Sequence, residues 1–404
     1  RRAMRHGKKL GMSNPFLYLL VDTLVTEMGA AYPELPANHA TVTRVVRAEE
    51  ERFDSVLTDG LPKLELALSI ANQGRLAGED IFRLYDTYGL PLDFIEDLAS
   101  ERAITIDRDG FDQAMESQRT QSRATTRFVG QAAVSFHFDS NQHRKMLLTA
   151  QDRFEGYTTT EVKSTTVLAL FDESRTAVSE LSLSDNGFVV LDQTPFYLEA
   201  GGQVSDTGHL SITGDRESVA QVDRVERLAP GGPRVHHVHV MSGHFRLEDM
   251  ACARVDSGRR DAIRRNHTAT HLLHAALRER LGSHIKQAGS LVEPDRLRFD
   301  FAHEGPINLI TLDQIERDVN KHIYMNQSID TEIRSTQEAI AAGAMALFGE
   351  KYGESVRVVS VAGVSMELCG GTHCRATGDI GVFCITQETG VAASVRRIEA
   401  LTGE

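Results

Sequence analysis

The stretch Asn266-His267-Thr268-Ala269-Thr270-His271-Leu272-Leu273-His274, read with Cys369-Gly370-Gly371-Thr372-His373 further along, decides the reading of this chain. The first segment carries a helical pattern. His267 and His271 are four apart and so share one helical face, and Leu272, Leu273, Ala276 and Leu277 continue the pattern of a packed helix. Cys369 and His373 have the same separation, but Gly370-Gly371 between them predicts a tight loop. Three imidazoles and one thiolate suit a tetrahedral zinc ion. A histidine-bearing helix and an unrelated glycine loop would be the plainer account. HxxxH paired with CxxxH favours metal, and His267, His271, Cys369 and His373 are the predicted ligands. Cys374 is a fifth candidate or a substitute for Cys369, which keeps the CxxxH spacing. The ligand list leaves structural and catalytic roles both open, because a catalytic zinc keeps one position for water or substrate. Two polar residues nearby, Thr270 on the same helix and Gln287 just beyond it, are candidates to hold a water or a substrate hydroxyl, although such groups more often cap or satisfy backbone.

Outward from this stretch, the rest of the last third alternates strands and helices. Gly289 to Val292, Arg296 to Phe301, Val356 to Val361, Ile380 to Ile385 and Val395 to Ala400 read as strands. Leu312 to Met325 reads as a helix with Ile315, Val319 and Ile323 inward, and Gln337 to Leu347 as a second helix. Before it, from about Phe128 to Val255, β-branched residues and turn signals dominate. Thr158 to Val162, Thr165 to Phe171, Gly187 to Leu191 and Arg234 to Val240 are strand candidates, and many short strands suggest a small barrel. Gly201-Gly202-Gln203 lies among them. Either it is an ordinary hairpin turn, or the glycines bring backbone close to a ligand and Gln203 supplies an amide. Residues 1 to about 125 read as helical, with a helix from Asn38 that has Glu49-Glu50-Glu51-Arg52 on its outer side, and a short one closed by Gly89 before Pro91. The prediction is a multidomain chain of α and α+β class: helical over 1–127, a β-barrel over 128–255, and an α+β domain with the zinc-binding helix over 256–404.

Composition fits this. A chain of 404 residues should hold two or three domains, and four cysteines fit a reducing cytosol rather than a disulfide framework. No apolar run reaches membrane-spanning length. A net charge of -13 argues against a general nucleic-acid binder, yet arginines gather at residues 1 to 9 and at Arg259-Arg260 with Arg264-Arg265, where phosphate is a candidate partner.

With these residues in view, the chain resembles the alanyl-tRNA synthetase family along nearly its whole length. Arg1-Arg2-Ala3-Met4-Arg5-His6-Gly7 resembles the end of the class II core, and Leu84-Tyr85-Asp86-Thr87-Tyr88-Gly89-Leu90-Pro91 the tRNA-recognition region. Gly201-Gly202-Gln203 with Asp206-Thr207-Gly208 resembles the glycine-rich editing motif, and HTATH with CGGTH the editing zinc site. The resemblance implies a cytoplasmic internal portion: most of the ATP- and alanine-binding core, with its Mg2+, lies upstream, and the oligomerisation region downstream. It implies tRNA for alanine as partner, with Asp86 reading the acceptor stem and Arg2 and Arg5 on phosphates. It implies hydrolysis of seryl- or glycyl-tRNA with Zn2+ as cofactor. A pocket for alanine rejects glycine and serine poorly, so a second, hydrolytic sieve is physically needed. Two other readings are a freestanding deacylase of related fold and an RNA-binding module with structural zinc.

Overall fold

The structure, a computed structural model, describes residues 2–12, 14–71, 74–125, 135–149, 152–214, 217–346, 352–392 and 394–403. It divides into two compact units, Arg1–Ala132 and Ala133–Glu404. Among the described residues no helix is long and apolar enough to cross a membrane. The change of character near Phe128 lies outside the described residues.

The first unit is helical: α1 (Arg2–Lys9), α2 (Leu20–Met28), α3 (His39–Ser69), α4 (Gly78–Asp86), α5 (Leu92–Glu101) and α6 (Arg108–Thr125). Its core joins Leu57, Leu64, Ile81, Leu90, Phe94 and Ile95. Each such side chain contributes about 1.5–3 kcal/mol of burial. The outer side assigned to Glu50 is corrected. Its carboxylate is buried and accepts the N–H groups of Phe16, Leu17 and Tyr18 at 2.9, 2.8 and 2.9 Å, satisfying the open end of a short 3-10 turn. Asp86 ends α4, exposed, and accepts the Gln118 amide at 2.7 Å. An acid at a helix C-terminus opposes the helix dipole, so local structure does not call for it there. Arg2 and Arg5 belong to α1, but their side chains lie outside the described residues.

After a short helix over Asn141–Thr149, the second unit forms a barrel: β1 (Glu161–Asp172), β2 (Asn186–Leu191), β3 (Gly208–Ile212), β4 (Val219–Arg227), β5 (Arg234–Ser242) and β6 (Met250–Val255). The order β6-β3-β4-β5-β2-β1 is antiparallel throughout, and β6 pairing with β1 closes it. Val189, Leu210, Val222, Val238 and Val240 fill the interior. The two strands expected over Thr158 to Phe171 are one. The N–H groups of Thr158 and Thr159 turn back to the Glu155 carbonyl, so β1 starts only at Glu161.

His236 stands on the inner face of β5 with Val238 and Val240, fully buried. Its Nδ1–H donates to the Val189 carbonyl at 2.9 Å and its Nε2 accepts from the Thr194 hydroxyl at 2.7 Å. Burial pushes the imidazole down to about 4. A histidine whose folded pKa is depressed contributes stability above its unfolded value near 6.5, and that stability is lost as pH falls towards 4. Between pH 7 and 5 the unit is expected to lose about 2 kcal/mol from this residue alone. Urea unfolding at both pH values checks it, with His236→Gln losing that increment of pH dependence; equal slopes for the two proteins would refute it.

Beyond the barrel, α7 (Ser257–Leu281) leads into β7 (Gln287–Val292), β8 (Leu297–Ala302), α8 (Leu309–Tyr324), β9 (Ile329–Ser335), α9 (Thr336–Ala341), β10 (Ser355–Val361), β11 (Ser365–Leu368), β12 (Val382–Ala392) and β13 (Val395–Gly403). One antiparallel sheet has order β7-β8-β13-β12, a second β9-β10-β11. Leu272, Leu273 and Leu277 of α7 share a core with Phe299, Val319 and Ile398. Two expected elements are corrected. α9 is only six residues, because Gly343 (φ 90°) turns the chain and Ala344 N–H closes on the Ala339 carbonyl; Leu347, the end of the expected helix, lies outside the described residues. The expected strand from Ile380 starts at Val382, after a 3-10 turn over Thr377–Ile380.

Candidate metal centre

The site is built where α7 meets the loop after β11. α7 starts with Asp256, whose side chain accepts the Arg259 N–H at 3.1 Å. One turn in, fully buried Arg260 fixes the helix to the barrel. Its guanidinium holds the buried Asp206 carboxylate with two N–H groups, and donates to the carbonyls of Gly156 (2.7 Å) and Pro195 (2.8 Å). Asp206 also accepts the Tyr197 N–H at 2.6 Å. The barrel loop carrying Gly201-Gly202-Gln203 is thereby locked beside the histidines.

His267, His271, Cys369 and His373 converge, with donor atoms all within 4.8 Å of one another. Cys369 Sγ lies 3.4 Å from His267 Nε2 and 3.3 Å from His373 Nε2. Tetrahedral zinc bonds of about 2.0–2.3 Å place donors about 3.3–3.8 Å apart; the two sulfur–nitrogen distances lie in that range, and the donor types suit zinc. The charges agree. Burial opposes the Cys369 thiolate, but the imidazoles of His267, His373 and His271 outweigh it and hold the thiol well below its usual range. Burial also brings His373 down to about 3, a neutral imidazole with a lone pair to give. At His271 burial is outweighed by the Glu367 and Cys369 anions, which raise it to about 9. Cys374 is not in the set. Its side chain packs against the core under α7, and burial pushes its thiol up to about 11.

The partners behind the ligands had no spacing to betray them. His267 Nδ1–H donates to the Gln203 carbonyl oxygen at 2.8 Å, which aims Nε2 at the cluster. That oxygen also accepts the Thr372 N–H at 2.9 Å, and the Gln203 NH2 donates to the Thr372 hydroxyl at 2.9 Å. Glu367 faces His271 at 3.7 Å and His274 at 3.2 Å. Arg357 donates to the carbonyls of Cys369 (3.0 Å) and Gly371 (2.7 Å), and the Tyr157 hydroxyl to that of Gly370 (2.7 Å). Gly371 has no room for a side chain: a Cβ would stand 2.0 Å from the His267 ring.

A cavity of about 140 Å3 opens beside the cluster, lined by His267, His271 and Cys369 together with Thr270, Gln287 and Gly201. The structure thus brings together most of the residues singled out in the sequence. Thr270 donates its hydroxyl proton to the Asn266 carbonyl at 2.8 Å, so its oxygen faces the cavity as an acceptor. The Gln287 amide makes no hydrogen bond to protein among the described residues. The glycine pair needs restating. Gly201 and Gly202 form a two-residue turn, φ 60° and 84°, closed by Ala200 and Gln203. Only Gly201 lines the cavity. Gly202 lies against β7, where a Cβ would stand 2.6 Å from the Ser290 carbonyl oxygen. The Gln203 amide is engaged by His267 and Thr372, and Gln203 is not among the residues lining the cavity.

Comparison with known proteins follows the same outline. The family described as tRNA synthetases class II (A) matches residues 1–259, and the one described as Threonyl and Alanyl tRNA synthetase second additional domain matches residues 356–399. Along its full length the chain is 49% identical to an alanine–tRNA ligase of Stenotrophomonas maltophilia and 46% identical to those of Bordetella bronchiseptica and Halorhodospira halophila. It spans 44%, 44% and 45% of those proteins, less than half of each.

Proposed function

This chain belongs to the class II (A) tRNA synthetase family, and from that premise we propose that it is the correcting portion of an alanine–tRNA ligase. Its substrate is tRNA for alanine carrying the wrong small amino acid, serine or glycine, and its reaction is hydrolysis of that ester. Attachment of alanine, with ATP and Mg2+, is assigned to the full-length ligase. The helical unit is the acceptor-stem reader, with Asp86 the base-contacting acid and Arg2 and Arg5 on phosphates.

The observation that carries the reading is the cavity of about 140 Å3 bordered by the donor set. It has room for a small aminoacyl group, or four to five waters at about 30 Å3 each. His267, His271, Cys369 and His373 would hold zinc; four protein donors fill a tetrahedral shell, so the ion would order this end of the pocket, and would polarise a water or a substrate oxygen only by taking it as a fifth ligand. Thr270 selects. With its proton committed to Asn266, its oxygen can only accept, and serine's hydroxyl is a donor where alanine's methyl is not. Gln287, with its amide free, orients the ester or the water. Gln203 keeps the His267 ring aimed and Arg260 keeps the loop in place.

The test incubates the purified chain, with zinc, with seryl-tRNA and alanyl-tRNA for alanine. The seryl ester is expected to disappear much faster than in buffer while the alanyl ester persists. A seryl ester as stable as in buffer would leave the zinc a structural role in an RNA-binding module and end the hydrolytic reading.

A further inference from the structure

The small cavity beside the donor set is walled mostly by groups with other duties. His267, His271 and Cys369 are donors, while Gly201, Gly370 and Gly371 bring no side chain. Three large carbon-rich side chains also line it: Tyr197, Leu368 and Tyr352. The first two are core residues in their own right. Tyr197 is buried in the barrel loop, its ring edge-on to Phe154 at 6.0 Å and its hydroxyl donating to the Ala200 carbonyl at 3.3 Å. Leu368 closes β11, pairs with Val358 of β10 and is buried among Ala339, Val356 and Val358. Tyr352 differs. It lies between α9 and β10 outside any helix or strand, and the residues that follow it, Gly353, Glu354 and Ser355, are exposed. Its ring is only partly buried and packs against the Leu368 cluster. A ring left partly open in an irregular stretch gains only part of the burial that aromatic side chains supply to a core. Its bulk is therefore explained by the cavity it borders.

We propose that the Tyr352 ring sets the upper size limit of the aminoacyl group, admitting serine and excluding a side chain one methyl larger. The inference rests on the hydrolytic reading above and adds to it the residue that bounds the substrate class. Threonine is the discriminating probe. Its hydroxyl sits on the same carbon as serine's and meets the Thr270 oxygen equally well, so the extra methyl is the one difference between the two. Thr270 sorts by hydrogen bonding and Tyr352 by bulk, and a substrate must satisfy both.

The test compares seryl and threonyl esters of tRNA for alanine, using the full chain with zinc. The unaltered chain is expected to hydrolyse the seryl ester about 10–200-fold faster than the threonyl ester, the worth of one methylene group in a fitted pocket. Tyr352→Phe, which keeps the ring, should keep that ratio. Tyr352→Ala should lower it by about tenfold or more, and Tyr352→Leu, which keeps apolar packing, by an intermediate factor. The same order is read without chemistry from the affinities of the stable seryl and threonyl amides of 3′-amino-3′-deoxyadenosine, measured by calorimetry. A chain that sorts the amides in this order but leaves seryl-tRNA intact would keep the size limit and lose the hydrolysis. Equal treatment of the two side chains by the unaltered chain overturns the proposal. So does a Tyr352→Ala variant that melts with the parent and keeps the parent's ratio, which would assign the limit to Leu368. Should Tyr352→Ala melt below the parent, the ratio of Tyr352→Leu decides in its place.

Discussion

Arg260→Ala is expected to destabilise the second unit by about 3–5 kcal/mol, the cost of breaking a buried ion pair from one side. The physical reason is what remains. The Asp206 carboxylate would stay fully buried with the Tyr197 N–H as its one remaining side of support, and the carbonyls of Gly156 and Pro195 would lose their donor together. Arg260→Lys should recover little, because a compact ammonium cannot reach one carboxylate and two carbonyls at once in the planar fork that arginine provides. Urea unfolding measures the difference. A loss under about 1 kcal/mol would mean that the pair is solvated in solution and that α7 is held by apolar packing alone.

Cys369→Ala should release zinc altogether. Removing the thiolate takes away the donor that the surrounding imidazoles and the Gly371 N–H, 3.4 Å from its sulfur, are arranged to stabilise. The comparison that gives this meaning is Gln203→Ala, which keeps all four ligands and removes only the hydrogen bonds that hold the His267 ring and Thr372 of the CxxxH loop. That change should lower zinc affinity by about 10–100-fold, and Cys369→Ala by more. Zinc content after dialysis against a graded chelator orders the two, and chelation of the unaltered chain should abolish ester hydrolysis in step with metal loss. Stoichiometric zinc in Cys369→Ala would transfer the sulfur ligand to Cys374 and overturn the assignment.

How much of this was legible depends on the range of the interaction. The i,i+4 histidines of α7 and the inward stripe Ile315, Val319, Ile323 of α8 are local patterns, and they are readable as such. Barrel strands β3, β4 and β6 are not among the strands the sequence suggests. β4 is bulged between Val222 and Arg224, which breaks its alternation, and β6 turns two alanines inward, too small to mark a face. Glu50 sits in a run of acids that looks solvated, because its three N–H partners lie more than thirty residues away. The roles of Gln203, Glu367 and Arg357 are invisible for the same reason: each is defined by a partner far along the chain or across the sheet. His267, Thr270, His271, Gln287 and Cys369 of the small cavity are nameable from the sequence, whereas Tyr197, Ser290, Tyr352 and Glu367 beside them are not.

The links made by Gln203 also order events in time. Its partners His267 and Thr372 are 64 and 169 residues away, so the side chain that aims the first ligand spans most of the second unit. Closing such loops carries an entropic cost that only later contacts repay, and chains rich in distant pairings fold slowly. A cation arriving early meets only the two histidines of a single helix, a weak and unselective pair. The tight centre exists once the barrel has closed and the CxxxH loop has docked. Were the four donors to hold zinc as proposed, tight capture of the ion would be expected only late in biogenesis, after the barrel has folded.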